Sequence, residues 1–192
     1  MKKYFCLIIL IPVLMKAKAQ ETGKNYPEVG KPMPGFKFNE VMYFTKDTVS
    51  NSDFEGQWLV LDCWNRYCSL CLKKMPALDK MRETFNKKVI FLLVGYNGSR
   101  YTKRSDDTAI RKLYEMNRLD QHLNLAIAYD SVMFHQFDIG PCPYMIIVDP
   151  KGIVRAITTS LSEPDLHNLM ENKPVVFNRA YRRGERILKE LK

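Results

Sequence analysis

The chain has 192 residues, of which 46% are hydrophobic and 27% are charged, so it is long enough for one folded domain with a substantial core and too short for several. Its formal net charge is +9, but residues 1–19 contain four lysines and no acid, which leaves a modest +5 for the rest. No basic cluster is interleaved with aromatic residues, so the composition argues against a nucleic-acid partner.

Residues 1–19 have the pattern of a secretory signal peptide. Two lysines precede the apolar run Tyr4–Met15, and Ala17–Ala19 resembles a cleavage site. The run has twelve residues, fewer than the roughly 20 that a membrane-spanning helix needs. We therefore predict export to the periplasm or another extracytoplasmic compartment. The alternative is an uncleaved membrane anchor, because Lys16 and Lys18 are unusual beside a cleavage site.

The next segments lead to the first strand of the predicted core. Prolines and glycines recur through residues 20–35, which predicts an extended N-terminal segment. Phe36–Phe44 predicts one or two short strands, and the polar stretch Thr45–Gly56 predicts a hairpin and a turn. Trp58–Cys63 is an apolar run typical of a buried strand, interrupted only by Asp62.

Two cysteines, Cys68 and Cys71, follow this strand with two residues between them. Apolar residues recur behind them at near-helical spacing, at Leu70, Met75, Leu78, Met81 and Phe85. Cys68 is therefore expected at the start of a helix, where unpaired amides, the helix dipole and nearby Arg66 would lower its pKa below the free value of about 8.5. Cys71 could then resolve a mixed disulfide formed by Cys68. A structural zinc site is not favoured, because the sequence has no second CxxC and no HxxxH pair.

Strands and helices alternate in the remainder of the chain. In order, the patterns predict strand Val89–Val94, helix Asp106–Leu119, strands Leu125–Tyr129, Tyr144–Val148 and Ile153–Ile157, and helix Glu163–Glu171 with Ser162 as its cap. This alternation predicts an α/β sandwich with a mixed central sheet. The basic residues 173–192 are expected to form a tail or a short helix.

Two motifs now resemble those of the TlpA/ResA-type thiol-disulfide oxidoreductases of the thioredoxin superfamily. The first is Leu61–Trp64 with Tyr67–Cys71 and Pro76, and the second is Phe137–Gly152, in which Pro143 matches the cis-proline of the family. The resemblance covers residues 27–172, which we take as the thioredoxin-like domain. It implies a three-layer sandwich, a central mixed β-sheet flanked by helices, with an N-terminal strand extension and a helix–strand insertion before the cis-proline.

Several residues depart from the family pattern. Tyr67 stands where the family usually has Trp, and Ser69–Leu70 replaces a dipeptide that usually contains proline. Cys63 occupies a position normally held by Phe, and Cys142 precedes Pro143 where Thr is usual. The changed dipeptide leaves the redox potential open, and Cys142 leaves open whether only two thiols take part.

The resemblance implies that Cys68 is the nucleophile and Cys71 the resolving thiol. Asp62 lies six residues before Cys68, at the spacing of the buried acid of thioredoxin. A buried carboxyl would have a raised pKa and could take the proton from Cys71. The acid that ResA-like proteins carry three residues after the second cysteine is replaced by Lys74. The alternative for Asp62 is a carboxylate that merely accepts a bond from a backbone amide.

The residues expected on the substrate side are Trp64, Tyr67, Cys142 and Pro143. Trp64 would pack beside the disulfide and shape the substrate face, or would be a core tryptophan. A cis-Pro143 would hold the backbone of residue 142 open to an extended substrate strand. Cys142 could form an alternative disulfide, capture a substrate thiol, help to bind a soft metal, or simply fill the space of Thr.

We therefore expect an exported thiol-disulfide oxidoreductase, a reductant of partner-protein disulfides that needs no cofactor and is recharged by a separate redox partner. Membrane attachment is expected only if residues 1–19 are retained. The alternative is a metallochaperone-like Cu(I)-binding protein that uses Cys68, Cys71 and either Cys142 or His135. A peroxidase is less favoured, because Asn65 stands where peroxiredoxin-like sites have Thr.

Overall fold

The computed structural model describes residues 25–99 and 103–185. The predicted signal segment 1–19 lies outside the described residues, as do residues 186–192 of the predicted tail. Among the described helices, none has the length and apolar character needed to cross a membrane.

Eight strands and four helices make up the described part of the chain. The strands are β1 Lys37–Phe38, β2 Val41–Met42, β3 Val49–Ser50, β4 Trp58–Trp64, β5 Val89–Gly95, β6 Ala126–Tyr129, β7 Tyr144–Val148 and β8 Val154–Thr158. The helices are α1 Ser69–Phe85, α2 Asp107–Asp120, α3 Val132–Gln136 and α4 Glu163–Met170, and a 3₁₀ turn covers Asn51–Phe54.

Six of these strands form one mixed sheet in the order β2-β6-β5-β4-β7-β8. Strands β4, β5 and β6 run parallel, whereas β7 is antiparallel to β4, β8 to β7, and β2 to β6. Strands β1 and β3 form a separate antiparallel pair. The predicted mixed sheet is confirmed, and α2 with β6 forms the predicted insertion before Pro143.

Strand β4 is central and buried along its whole length, as its apolar sequence predicts. Its alternate residues divide between two cores. The face toward the N-terminal segment and α3 carries Leu59, Leu61 and Cys63. The face toward α1, α2 and α4 carries Trp58, Val60 and Trp64. By this alternation Asp62 lies on the α1 side, the side that carries Cys68 and Cys71.

The two helices predicted with their start signals begin where expected. Cys68 is the N-cap of α1, and its Sγ accepts a hydrogen bond from the Cys71 amide at 3.2 Å. Ser162 caps α4, and its Oγ accepts a bond from the Asp165 amide at 3.3 Å. Leu70, by contrast, points to solvent, so the buried stripe of α1 starts at Cys71 and not at Leu70.

The described part of the predicted tail, residues 173–185, contains no helix and packs against the sheet. The Thr159 amide donates to Asn178 O at 2.9 Å, and Ala180 is buried beside β8. A Cβ at Gly140 would overlap the carbonyl oxygen of Tyr181. This segment therefore covers the edge strand β8 and the loop that leads to Pro143, which its basic composition did not indicate.

Candidate active site

Cys68 and Cys71 form a disulfide with a Cα–Cα distance of 5.3 Å. The two cysteines differ in access: Cys68 is 8% exposed, whereas Cys71 is 1% exposed. Both residues are buried, and Cys68 keeps the larger remaining exposure of the two. This difference fits the predicted roles of nucleophile and resolving thiol.

The turn between β4 and α1 places Cys68 at the helix start. Asn65 is buried, and its Oδ1 accepts a bond from the Tyr67 amide at 2.9 Å while its carbonyl oxygen accepts one from the Cys68 amide at 3.0 Å. These bonds fix a tight polar turn between the strand and the helix. Because a disulfide sulfur does not titrate, the lowered pKa of the reduced Cys68 thiol stays a prediction.

Asp62 is the buried acid of the site. Its side chain is almost inaccessible, and its Oδ1 has no hydrogen-bond partner among the described residues. Burial raises the pKa of Asp62 to about 7, although the positive charge of Lys74 opposes the shift. Lys74 lies on α1 and donates to Thr159 O at 3.3 Å. A carboxyl group with this pKa can exchange a proton near neutral pH.

Trp64 has no exposed surface. It belongs to the same buried cluster as Cys68 and Cys71, and its ring centroid lies 6.4 Å from that of Tyr114. It cannot contact a partner molecule directly without a rearrangement. The structure therefore favours the core-packing alternative for Trp64 over the predicted contribution to the substrate face.

The exposed apolar surface beside the disulfide comes from other residues. Tyr67, predicted on the substrate side, is 51% exposed, and Leu70 is 50% exposed. The two residues flank Cys68 in the sequence and present apolar area where a partner would approach. The apolar spacing pattern of α1 includes Leu70, and its exposed position corrects that part of the pattern.

Arg66 is not the free cation that the sequence suggested. Its Nε lies 2.8 Å from Oδ1 of Asp106, a buried residue at the start of α2. The guanidinium also lies over the Tyr67 ring, 4.5 Å from the centroid. Asp106 was missed because it lies in a distant part of the sequence and carries no motif. Its negative charge balances the cation beside Cys68.

The Cys142–Pro143 peptide bond is cis, as the resemblance implied. Cys142 is half-buried and packs against both cores, the one with Cys68 and Cys71 and the one with Cys63. Burial raises the pKa of the Cys63 thiol strongly, and the proximity of Cys142 raises it further. Neither thiol is part of a disulfide in this structure.

The set of ligands predicted for Cu(I) is not assembled. Over residues 25–99 and 103–185, no group of three or more His, Cys, Asp or Glu side chains could hold a metal ion. The Nε2 atom of His135 lies 3.4 Å from the hydroxyl of Tyr96. The geometry does not favour the metallochaperone alternative.

Comparisons with known proteins agree with this site and fold. Residues 29–157 match the AhpC/TSA family. The chain is 21% identical over 150 residues to the thiol-disulfide oxidoreductase ResA of Bacillus subtilis, a match that covers 77% of each protein. It is 23% identical over 125 residues to ResA of Geobacillus kaustophilus, covering 63% of this chain and 66% of that relative.

A solved structure shows the same architecture. The thioredoxin domain of a thiol-disulfide oxidoreductase from Bacteroides vulgatus superimposes with a TM-score of 0.55 at 24% identity, over 76% of this chain and 96% of that one. This likeness confirms the thioredoxin-like fold predicted from the two motifs. The chain therefore belongs to the AhpC/TSA family and is a TlpA/ResA-like protein of the thioredoxin superfamily.

Proposed function

We propose that this protein is an exported thiol-disulfide oxidoreductase that reduces disulfides in partner proteins through Cys68 and Cys71. One observation carries the proposal: a disulfide at the start of α1 has its less buried cysteine at the helix N-cap, on the side of β4 that holds a buried acid whose Oδ1 has no hydrogen-bond partner among the described residues. The relatives named thiol-disulfide oxidoreductase ResA support the same chemistry.

The first step begins from the reduced pair. The Cys68 thiolate attacks one sulfur of a partner disulfide, forms a mixed disulfide, and releases the other partner sulfur as a thiolate. The position of Cys68 favours this step, because its Sγ accepts a bond from the first-turn amide of Cys71 and the dipole of α1 is positive at that end.

The second step resolves the mixed disulfide. Asp62 takes the proton from the Cys71 thiol, and the resulting thiolate attacks Cys68 Sγ and expels the second partner thiolate. The partner gains two electrons, and the protein ends with the Cys68–Cys71 disulfide. An external dithiol must then reduce this disulfide, which is the task of a separate redox partner.

Partner docking uses the surface around Cys68. The exposed rings and side chains of Tyr67 and Leu70 offer apolar contact area. The cis-Pro143 loop offers the backbone of Cys142 to an extended segment, which would pair as an added strand. We assign to Cys142 the packing role of a small apolar side chain in the fold and no step in the reaction.

Export rests on the sequence pattern of residues 1–19. Outside the cytoplasm a CxxC pair encounters the protein disulfides that such an enzyme would reduce. Cleavage at Ala17–Ala19 would release the protein, and retention of the segment would hold it at the membrane.

Insulin reduction tests the proposal, with Cys68→Ser as the inactive variant and Cys63→Ala as its matched control. The control also removes a buried thiol, but from the opposite face of β4. We expect Cys68→Ser to fall to the uncatalysed rate and Cys63→Ala to retain the parent rate. Equal rates for the parent and Cys68→Ser would refute the catalytic assignment.

The reduction potential tests the proposed direction. A value near the roughly −270 mV of thioredoxin is expected for a reductant, whereas a value near about −120 mV would make the protein an oxidant.

A further inference from the structure

An ion pair joins the CxxC turn to the insertion that distinguishes this chain from a minimal thioredoxin fold. Arg66 lies in the turn before Cys68, and Asp106 lies at the start of α2. The Asp106 carboxylate is almost fully buried, while the Arg66 side chain is one-third exposed. An ion pair with one partner buried is costly to form, so its position next to the disulfide calls for an explanation.

Asp106 occupies the N-cap position of α2, but its side chain does not cap the helix. Aspartate at a helix N-cap normally accepts a hydrogen bond from an amide of the first turn. Asp106 is the N-cap of α2, yet its side chain makes no capping bond. Its carboxylate lies instead beside Arg66, and its backbone is fixed by a bond from its amide to Gly98 O at 2.9 Å. The pairing with Arg66 thus replaces a stabilising helix cap.

Arg66 in turn holds Tyr67. The guanidinium lies over the Tyr67 ring, with 4.5 Å to the centroid, and its Nη2 donates to the Tyr67 hydroxyl. The Tyr67 side chain is half exposed and directly precedes Cys68. A partner that docks on an exposed ring at this place must order whatever freedom the ring retains, and each contact that restrains the ring beforehand lowers that cost.

We propose that Arg66 and Asp106 are positioning residues that preorganise Tyr67 as a docking ring for partner proteins. This inference rests on the proposed function, since it concerns the recognition of the same partners. Asp106 anchors the guanidinium, the guanidinium fixes the ring, and the fixed ring meets the partner next to Cys68. The pair acts on binding and not on the sulfur chemistry, because Asp106 balances the charge that Arg66 would otherwise direct at the thiolate.

The experiment compares protein and small-molecule disulfides as substrates. Three variants weaken the arrangement: Asp106→Asn removes the anchor charge, Arg66→Lys keeps the charge but loses the planar stacking group, and Arg66→Met with Asp106→Leu removes both charges. We expect each to raise the KM for insulin about fivefold, the size of a lost cation–π or ordering contribution. In the double variant, which removes both charges together, the kcat for insulin, the rate with a small aromatic disulfide and the Cys68–Cys71 reduction potential should stay unchanged.

The double variant guards against misfolding, because it leaves no unpaired buried charge behind. Arg155→Ala is the matched control. Arg155 also pairs with a mostly buried aspartate, Asp149 at 3.3 Å, and lies over an aromatic ring, Trp58 at 5.9 Å. Asp149 follows the end of β7 and Trp58 starts β4, which places this pair at the opposite end of the sheet from Cys68. Its loss should leave the KM for insulin unchanged.

Each outcome separates the alternatives. A raised KM in the double variant with an unchanged potential supports the inference. A parental KM in the double variant, an equal rise in Arg155→Ala, or a shifted potential in the double variant would overturn it. A parent enzyme no faster than Cys68→Ser would overturn the proposed function, and this inference with it, whereas an active parent with unaffected Arg66 variants would overturn this inference alone.

Discussion

The two faces of β4 carry buried residues of different kinds. On one face, Cys63 packs in a core with Tyr144, which is its partner on the adjacent strand β7. On the opposite face, Asp62 lies beneath α1. Both residues are buried and both have a raised pKa for the same physical reason, the loss of water around the ionised form. Only Asp62 shares its face with the Cys68–Cys71 disulfide. Equal burial therefore has different consequences: the thiol stays neutral and packs, and the carboxyl can exchange a proton close to neutral pH.

The largest expected effect is on stability, through Asp62→Asn. In the unfolded chain Asp62 titrates near its ordinary 3.8 and in the folded protein near about 7. Well below pH 3.8 both states hold the proton; as the pH rises toward 7 only the unfolded state has released it, so the stability falls. Above pH 7 the loss is complete, at about 4 kcal/mol. Urea unfolding should show Asp62→Asn gaining on the parent by this amount between pH 4 and 8.

Asp53→Asn is the control, because its stability relative to the parent should change with pH in the opposite direction. Lys46 and Ser50 lower the pKa of Asp53 to about 2, so its charge favours the folded state. Asp53→Asn should therefore lose ground to the parent as the pH rises from about 2 to 4, and the gap should stay constant above that range. If the gap between Asp62→Asn and the parent did not change with pH, Asp62 would not be a buried acid with a raised pKa.

A smaller effect is expected on the opposite face, through Cys63→Ser. The hydroxyl would lie in an apolar core, where an unpaired polar group costs about 1–3 kcal/mol. The free energy of unfolding should fall by this amount, while insulin reduction per folded molecule stays at the parent rate. Cys63→Ala, which adds no polar group, separates the hydroxyl from the loss of volume. A loss of activity in both variants would mean that this face also takes part in the reaction.

The smallest effect is expected from Lys74→Met, which changes the environment of Asp62 and not Asp62 itself. The positive charge of Lys74 lowers the pKa of Asp62, so its removal should raise that pKa further. The rate of resolving the mixed disulfide, followed against pH by stopped flow, should then reach half its maximum at a higher pH. Met keeps the length of the side chain, and Lys74→Arg, which keeps the charge, should leave the profile in place.

Local patterns were enough to predict the parts of the fold that depend on neighbours in the sequence. The apolar run of β4, the helix start at Cys68, the strand β7 and the Ser162 cap are all confirmed. Helix α3 was missed, because five residues are too few to show a period. The cis peptide at Pro143 came from the resemblance and not from spacing.

The contacts around the site could be predicted less well from the sequence. Asp62 could be placed by its spacing from Cys68, but its lack of a partner depends on the packing around it. The ion pair between Arg66 and Asp106 joins two loops that only the folded sheet brings together. The apolar series of α1 includes Leu70, but the buried face of the helix follows Cys71 and Met75, and Leu70, one position before Cys71, faces outward.

The close contact between Gly140 and the Tyr181 carbonyl limits how far the protein can be truncated from its C-terminal side. The family resemblance suggests a domain boundary at residue 172. A fragment that ends there would lack residues 173–185, which pack on the loop before Pro143. Such a fragment would retain Cys68 and Cys71, but it would expose the edge strand β8 and the loop that leads to Pro143. Expression of the catalytic unit should therefore extend at least through residue 185.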